Sequence, residues 1–341
     1  MDAERTMTDP AHMGWTITDP VFQLREATQD TLFELSALPQ VDAVIGSAHG
    51  SAICLRDPLV SRRHARLTRD GDGWVVHDLE STNGMWVDGM RRASAPLTPG
   101  TELRIGGILL VAESARFVAL RQRASRILGW SVAQHDEVAR ALRALRVAAS
   151  CRTSLILQGD GDLTPIVRQL HVEALGDERP FVVATAKNLR DALERAVGGT
   201  LCLPMRRDPA AISVAFEWSG TTSQIVVCVP DARAAGIAAS VISSSTLIRI
   251  PSLSERRPEL ARIVAESAAE AATELAQPST GLAARDLRSL EGWAYDGYAD
   301  LIDSTYRLVA LRTLGVTEGA SRLGITHGAL SRWARRREVK P

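Results

Sequence analysis

Between residues 31 and 113, apolar and polar residues alternate over short runs. "TLFEL", "DAVIG", "AICL", "HARLTR", "GWVVHDL", "GMWVDG", "TELRIGG" and "ILLVAE" follow one another, with "RDGDG", "STNG" and "TPG" between them. A period of two, broken by turn clusters at this spacing, predicts an all-β sandwich. After about residue 125 the period lengthens. The helical run "HDEVARALRALRVAAS" leads into "SLILQG", and "PIVRQLHVEAL", "FVVATA", "NLRDALERAV", "TLCLP", "QIVVCVP" and "LIRIP" follow. Helical runs set between apolar strand-like runs predict an α/β region with a mainly parallel sheet. From about residue 280 the pattern is helical to the end, and "AQPST" (276–280) makes a plausible boundary. The expected organisation is therefore multidomain: a flexible leader over 1–24, a β domain over 25–120, an α/β domain over 125–275 and a helical region over 280–341. No internal repeat or low-complexity tract interrupts it.

Composition changes this picture little. A chain of 341 residues has room for two or three domains, and 45% apolar with 23% charged residues is ordinary for a globular protein. The formal net charge is zero, so binding to nucleic acid or membrane must come from a local patch. The cations are almost all arginine, Lys187 and Lys340 being the lysines. Cys54, Cys151, Cys202 and Cys228 form no C-x-x-C pair and read as buried small hydrophobes in a reducing compartment. The N-terminal stretch has no apolar signal core, and no apolar run reaches the ~18–20 residues of a membrane span. A cytoplasmic protein without membrane, metal or cofactor is expected.

The β region carries "IGSAHGSAICLRDPLVSRRHARL" and then "DLESTNG". Through Gly46, Ser61, Arg62, His64, Ser81, Thr82, Asn83 and Gly84 it resembles the forkhead-associated (FHA) domain over nearly its whole length. The resemblance implies an eleven-stranded sandwich whose loops at one end read phosphothreonine peptides. A phosphothreonine dianion calls for several converging donors, ideally with an arginine among them. The expected phosphopeptide contacts are Ser47, Ser61, Arg62, Thr82 and Asn83, with His64 bracing the loops. One position departs from the family. Ser47 stands where the family usually has an arginine that binds phosphate. A serine offers one neutral hydrogen bond where arginine offers charge-assisted ones, which are roughly twice as strong. Arg56, Arg62, Arg63 and His49 are the cations near enough in sequence to compensate. The alternative is an FHA fold that binds an unphosphorylated partner or packs within the molecule.

Four landmarks make the central region resemble the AAA+ domain of sigma-54-dependent transcription activators: "SLILQGDGDLTPIVRQLH", "DERPFVVATA", "AVGGTLCLP" and "LIRIPSLSERRPELARIVAE". The resemblance implies an α/β domain with a helical lid. The chemistry of an ATPase is missing from it. A phosphate loop needs lysine for the β/γ charge and a hydroxyl for Mg²⁺. Pro165 and Ile166 occupy those positions, with Asp160 and Asp162 nearby. The strand that would end in two carboxylates ends in Pro204 and Met205. The stretch before "LIRIP" is "AASVISSST", without an arginine finger. The family's loop that touches sigma factor has no counterpart, and its sensor-two motif survives only as "WAYDGYADL". The expectation is a degenerate AAA+-like scaffold that neither binds nor hydrolyses ATP: no catalytic residue, no enzyme.

"VTEGASRLGITHGALSRWARRREVK" has the layout of a helix-turn-helix, with Ala320, Gly324 and Leu330 at its small, turn and apolar positions. Leu323, Ile325 and Trp333 supply the inner face, and Thr326 is a good N-cap. With "DLIDSTYRLVALRTLG" before it, the segment resembles the Fis-type domain that ends sigma-54 activators and usually dimerises. Its recognition helix would run from about His327 to Arg337. His327, Gly328, Ser331 and Arg332 would face base edges; Arg335, Arg336, Arg337 and Lys340 would lie near phosphates.

The whole pattern reads as a bacterial transcription regulator. Its partners would be double-stranded DNA, a phosphothreonine-containing or unphosphorylated protein, sigma-54-type activators, and a second copy of the chain in a dimer. Two other functions fit parts of it: an FHA-based adaptor in Ser/Thr-kinase signalling without DNA binding, and an active ATP-dependent activator, which Pro165, Pro204 and Met205 oppose.

Overall fold

The computed structural model describes residues 17–38, 43–151, 153–185, 187–204, 224–230 and 245–339. The chain divides into two compact units. One comprises residues 1–124, 139–151 and 172–178; the other takes the remainder.

Among the described residues, the first unit holds eleven strands in two sheets. The six-stranded sheet runs β2 (Leu32–Glu34), β1 (Gln23–Glu26), β11 (Ile108–Glu113), β10 (Glu102–Ile105), β7 (Met85–Val87), β8 (Met90–Arg91). The five-stranded sheet runs β4 (Ile53–Cys54), β3 (Ala43–Gly46), β5 (Ala65–Asp70), β6 (Gly73–Asp78), β9 (Ser94–Leu97). Leu24, Ile45, Leu67, Val76, Leu103 and Leu110 lie in their common core at 0% exposure, as alternating strands facing one interior require. The expected sandwich is present, with corrected edges. Strand β1 starts at Gln23, inside the stretch expected as leader, and Ile17 and Val21 before it are also buried. Gln23 and Arg25 lie on the face opposite the core residue Leu24 and are buried there with Glu113, which is wholly buried and accepts from Gln23 Nε2 at 2.7 Å and Arg25 Nε at 2.9 Å. Helix α1 (Ala115–Leu128) follows one residue after β11, with Ser114 Oγ accepting from the Phe117 N–H at 3.2 Å, and Arg121 reaches the same carboxylate. Residues 139–151 of helix α2 (Val132–Cys151) belong with the sandwich, not with the α/β domain as expected. Arg143 pairs with Glu102, and Arg146 with Asp88 and the Gly100 carbonyl.

The second unit contains a five-stranded, wholly parallel sheet in the order β13 (Phe181–Val183), β14 (Thr200–Pro204), β15 (Gln224–Val229), β12 (Leu155–Gln158), β16 (Thr246–Arg249). The parallel α/β expectation holds, and strands β14 and β15 are buried on both faces. Helix α3 (Thr164–Leu175), which belongs to this unit through His171, follows β12, and α4 (Leu189–Arg195) packs on the sheet through Leu189, Ala192 and Leu193. Four helices end the chain: α5 (Leu260–Glu274), α6 (Ala284–Gly292), α7 (Tyr298–Arg322) and α8 (His327–Arg336). Ala268, Ala271, Ala272 and Leu275 share a core with Val309 and Ala310, so the expected boundary at 276–280 separates helices that pack together. Helix α7 is broken at Gly315 (φ 72°), leaving a long arm and a short helix before α8.

Candidate functional site

In the sandwich, the loops after β3, β4 and β6 meet at one end. The first two are stitched by main-chain bonds, Ser47 N–H to the Ser61 carbonyl at 3.0 Å and Ala48 N–H to the Arg62 carbonyl at 3.2 Å. Gly46 is required there, because a Cβ would overlap the Arg62 carbonyl oxygen. His64 is fully buried. Its Nε2–H donates to the Gly84 carbonyl at 3.1 Å, and its Nδ1 accepts the Ser61 N–H at 3.1 Å. It therefore ties the S-R-R-H-A segment to the S-T-N-G loop. Asp78, a residue the motif reading passed over, holds that loop from below by accepting from the Ser81 N–H and hydroxyl. Its position just before the loop, two residues ahead of Glu80, is an ordinary turn signal.

The five expected contacts come together around residues 59–61. Ser61 Oγ lies 3.4 Å from Thr82 Oγ1 and accepts the Thr82 N–H at 3.2 Å. Asn83 Nδ2 donates to the Leu59 carbonyl at 2.8 Å. Ser47 Oγ donates to the Val60 carbonyl at 2.9 Å, so its hydroxyl proton is used inside the chain. Arg62 is exposed, as is Arg56, and neither side chain has a partner among the described residues. A cleft of about 960 Å³ beside these loops is lined in part by Ala48, Gly50, Ser51, Arg62 and Arg63. The site thus offers guanidinium groups and hydroxyls over a braced frame.

In the second unit, ligands of an open α/β sheet would lie beyond the carboxyl ends of the strands. The cavity there measures about 210 Å³ and is lined by Gly161, Asp162, Leu163, Pro204, Cys228, Val229 and Pro230. Pockets for small molecules usually run to about 300–1,000 Å³. Asp162 Oδ1 accepts the Thr164 N–H at 3.0 Å, so the chain's own carboxylate takes a donor that a phosphate would use at the start of α3. Pro204 ends β14 where a carboxylate would be needed. Met205 and most of "AASVISSST" lie outside the described residues. Cys202 and Cys228 face each other at 3.8 Å between Sγ atoms; that contact and burial push the Cys228 thiol upward, which keeps it protonated. Among the described residues, no three His, Cys, Asp or Glu side chains group as metal ligands.

At the C-terminus the short end of α7 and helix α8 meet at Gly324 (φ 66°). Thr326 Oγ1 accepts the Ala329 N–H at 3.2 Å, the N-cap read from the sequence. Leu330, Trp333 and Ala334 are buried, while His327, Arg332, Arg335 and Arg336 are exposed, and Gly328 and Ser331 half-buried. The Arg332, Arg335 and Arg336 side chains have no partner among the described residues. Arg337 corrects the sequence reading. Its guanidinium donates to the Ala294 carbonyl at 2.9 Å and lies 5.0 Å from the Trp293 ring centre and 5.2 Å from that of Tyr295. It is held within the chain rather than presented to a phosphate. Lys340 lies outside the described residues.

The sandwich and its braced loops define a module of the FHA class, and comparison with known proteins agrees. The family model described as "FHA domain" matches residues 43–106, and those residues form an FHA domain. The FHA domain-containing protein FhaB of Mycobacterium tuberculosis is 43% identical over 70 residues, 20% of this chain and 45% of that protein. The oxoglutarate dehydrogenase inhibitor of Corynebacterium jeikeium is 40% identical over 74 residues, 22% of this chain and 51% of that protein. This chain therefore spans about half the length of these relatives. Among solved structures, Mycobacterium tuberculosis EmbR in complex with a low-affinity phosphopeptide is 29% identical, covering 28% of this chain and 24% of that one with a TM-score of 0.26. No helix among the described residues is long and apolar enough to cross a membrane.

Proposed function

We propose that this chain is a DNA-binding transcription regulator that receives a phosphothreonine-bearing or unmodified protein partner through its FHA domain. The α/β region serves as an AAA+-like scaffold without ATPase chemistry. The observation that carries the reading is helix α8. Arg332, Arg335 and Arg336 lie on its exposed side without a partner among the described residues, opposite Leu330 and Trp333, behind a capped start and a glycine turn. In a chain of zero net charge, such a stripe is a local electrostatic footprint for phosphates. The input side rests on Arg62 and Arg56, exposed at loops that His64 and Asn83 brace. The scaffold reading rests on Asp162 at the start of α3 and Pro204 at the end of β14. Sigma-54-type activators remain the natural protein partners of such a scaffold. A second copy of the chain is the other partner, docked through helix α7 as in Fis-type domains.

The test is DNA binding by the full-length chain across a genomic fragment pool at two salt concentrations, beside an Arg332→Ala/Arg335→Ala variant. Discrete enriched sites that the variant loses are the expected result. No enrichment at either salt would sink the DNA reading. It would leave the second reading, an FHA adaptor in kinase signalling, which the match over residues 43–106 favours by itself.

A further inference from the structure

We propose that residues Trp293–Gly297 form a positioning strap that ties recognition helix α8 to the loop after strand β12, gripping Asp160–Gly161 at one end and Arg337 at the other. The inference rests on the DNA-binding reading for its consequence, though not for its geometry.

At the sheet end, two stretches of backbone touch. Gly161 (φ 76°) follows β12, and a Cβ there would lie 2.7 Å from the Asp296 carbonyl oxygen. A Cβ on Gly297 would overlap the Asp160 carbonyl oxygen. Side chains are thus forbidden on both partners, which makes this a contact only glycines permit. It sits at the loop where an ATPase would open its backbone to phosphate, so the strap closes the place a nucleotide would occupy. Asp300 Oδ2 accepts the Asp296 N–H at 3.1 Å, fixing the strap to the start of α7.

At the helix end, Trp293 meets Trp333 of α8 edge to face, with ring centres 5.9 Å apart. Arg337 sits against both Trp293 and Tyr295, donates to the Ala294 carbonyl, and lies 3.5 Å from Asp300. The Tyr295 hydroxyl in turn donates to the Leu290 carbonyl at 2.5 Å. Packed contacts therefore run without a break from the loop after β12 to the end of the recognition helix. The guanidinium of Arg337 is spent on this path, unlike those of Arg335 and Arg336 beside it. Arg337 is a positioning residue, and the lid that a nucleotide would move is replaced by a fixed connection.

Salt dependence separates positioning from phosphate binding, because a side chain that pairs with one phosphate adds about one to the slope of log K against log salt. In the full-length chain, Arg337→Ala is expected to weaken binding to an enriched DNA fragment about tenfold with the slope unchanged. Arg335→Ala is expected to lower the slope by about one. Amide exchange without DNA gives the second readout: Arg337→Ala and Gly161→Ala should both speed exchange along α8. Arg337→Lys, which keeps the charge but loses the planar fork, should fall between. A slope change for Arg337→Ala equal to that of Arg335→Ala would overturn the proposal. So would unchanged α8 exchange in both Arg337→Ala and Gly161→Ala. If the wild-type chain binds no DNA, the DNA reading fails, and the exchange result alone still decides whether the strap holds α8.

Discussion

The FHA loops and the carboxyl edge of the parallel sheet are both places where a family pattern would seat a phosphate, and the chain treats them in opposite ways. In the FHA loops, the internal bonds run underneath. Asn83 and Ser47 bond to the Leu59 and Val60 carbonyls and His64 bridges two loops, leaving Arg56 and Arg62 exposed and without a partner among the described residues. At the sheet edge, the internal bonds fill the site itself. Asp162 takes the Thr164 N–H, and Asp296–Gly297 lies against Asp160–Gly161. A phosphate site is therefore diagnosed less by its motif residues than by whether charged donors remain once the chain's own bonds are made.

Breaking the frame of the first site should have the largest effect. His64→Ala removes both bonds of a buried ring and leaves the Ser61 N–H and Gly84 carbonyl without partners. A loss of about 2–4 kcal/mol in the stability of the sandwich is expected, measured by denaturant unfolding. A change below about 0.5 kcal/mol would mean the loops hold their shape without the brace. Sharpening the same site is the next largest effect. Ser47→Arg gives up the bond to Val60 but adds a charged fork, and should tighten binding of a phosphothreonine peptide roughly 5- to 30-fold. Isothermal titration of wild type and variant with phosphorylated and unphosphorylated peptide checks this. Equal affinity for both peptides in both proteins would instead indicate a site for unmodified partners.

The same contrast explains what the sequence disclosed. Strands with clean alternation, such as β6 "GWVVHD" and β7 "MWV", were legible, as were the apolar strands β14 and β15. Strand β1 was not, because Gln23 and Arg25 are polar yet buried, and the carboxylate that takes both of them, Glu113, is far away in sequence, while the nearby Asp30 takes Arg25 alone. Strand β9 contains Pro96, tolerated because β9 is an edge. Helix α1 did carry a signal, Phe117, Leu120, Ala124 and Ile127 at helical spacing after Ser114. In the sites, motif residues were legible and their bonding was not. Nothing local marks Ser47 as already committed to Val60, or Gly161 and Gly297 as neighbours. Arg337 looked like its neighbours in "RWARRR" until Trp293 and Tyr295 were placed beside it.

A smaller effect should separate the units by pH. His171 on α3 is buried; Nε2–H donates to the Arg179 carbonyl at 3.0 Å, leaving Nδ1 to accept from Thr200 Oγ1 at 2.9 Å. Burial pulls its pKa below the usual 6.5, and Arg168 adds to this against the Arg179 bond. The folded unit therefore disfavours the second proton that the unfolded chain accepts. Stability is full above pH 6.5 and falls as the pH drops from there toward the lowered folded value. The expected loss is a few degrees in the unfolding of the α/β unit between roughly pH 7 and pH 5, followed by scanning calorimetry. His171→Gln should flatten that limb. An identical slope in the variant would assign the loss to other groups.

The smallest expected effect is the most pointed test of the contrast. If the sheet edge merely lacked its charges, restoring them should restore binding. Asp162→Ala frees the Thr164 N–H, and Pro165→Lys returns a cation to the position a phosphate loop uses. The double variant nevertheless keeps Pro204 at the end of β14 and the backbone of Asp296–Gly297 against Gly161, so the loop still has no room to open. The expected gain in Mg·ATP affinity is less than about threefold, near the limit of a titration, because placed charges contribute little without a backbone cradle to position phosphate beneath them. Saturable Mg²⁺-dependent binding in the micromolar range would reverse this conclusion. The crevice would then be a nucleotide site short of two side chains, and the glycine contact would be something ATP can displace.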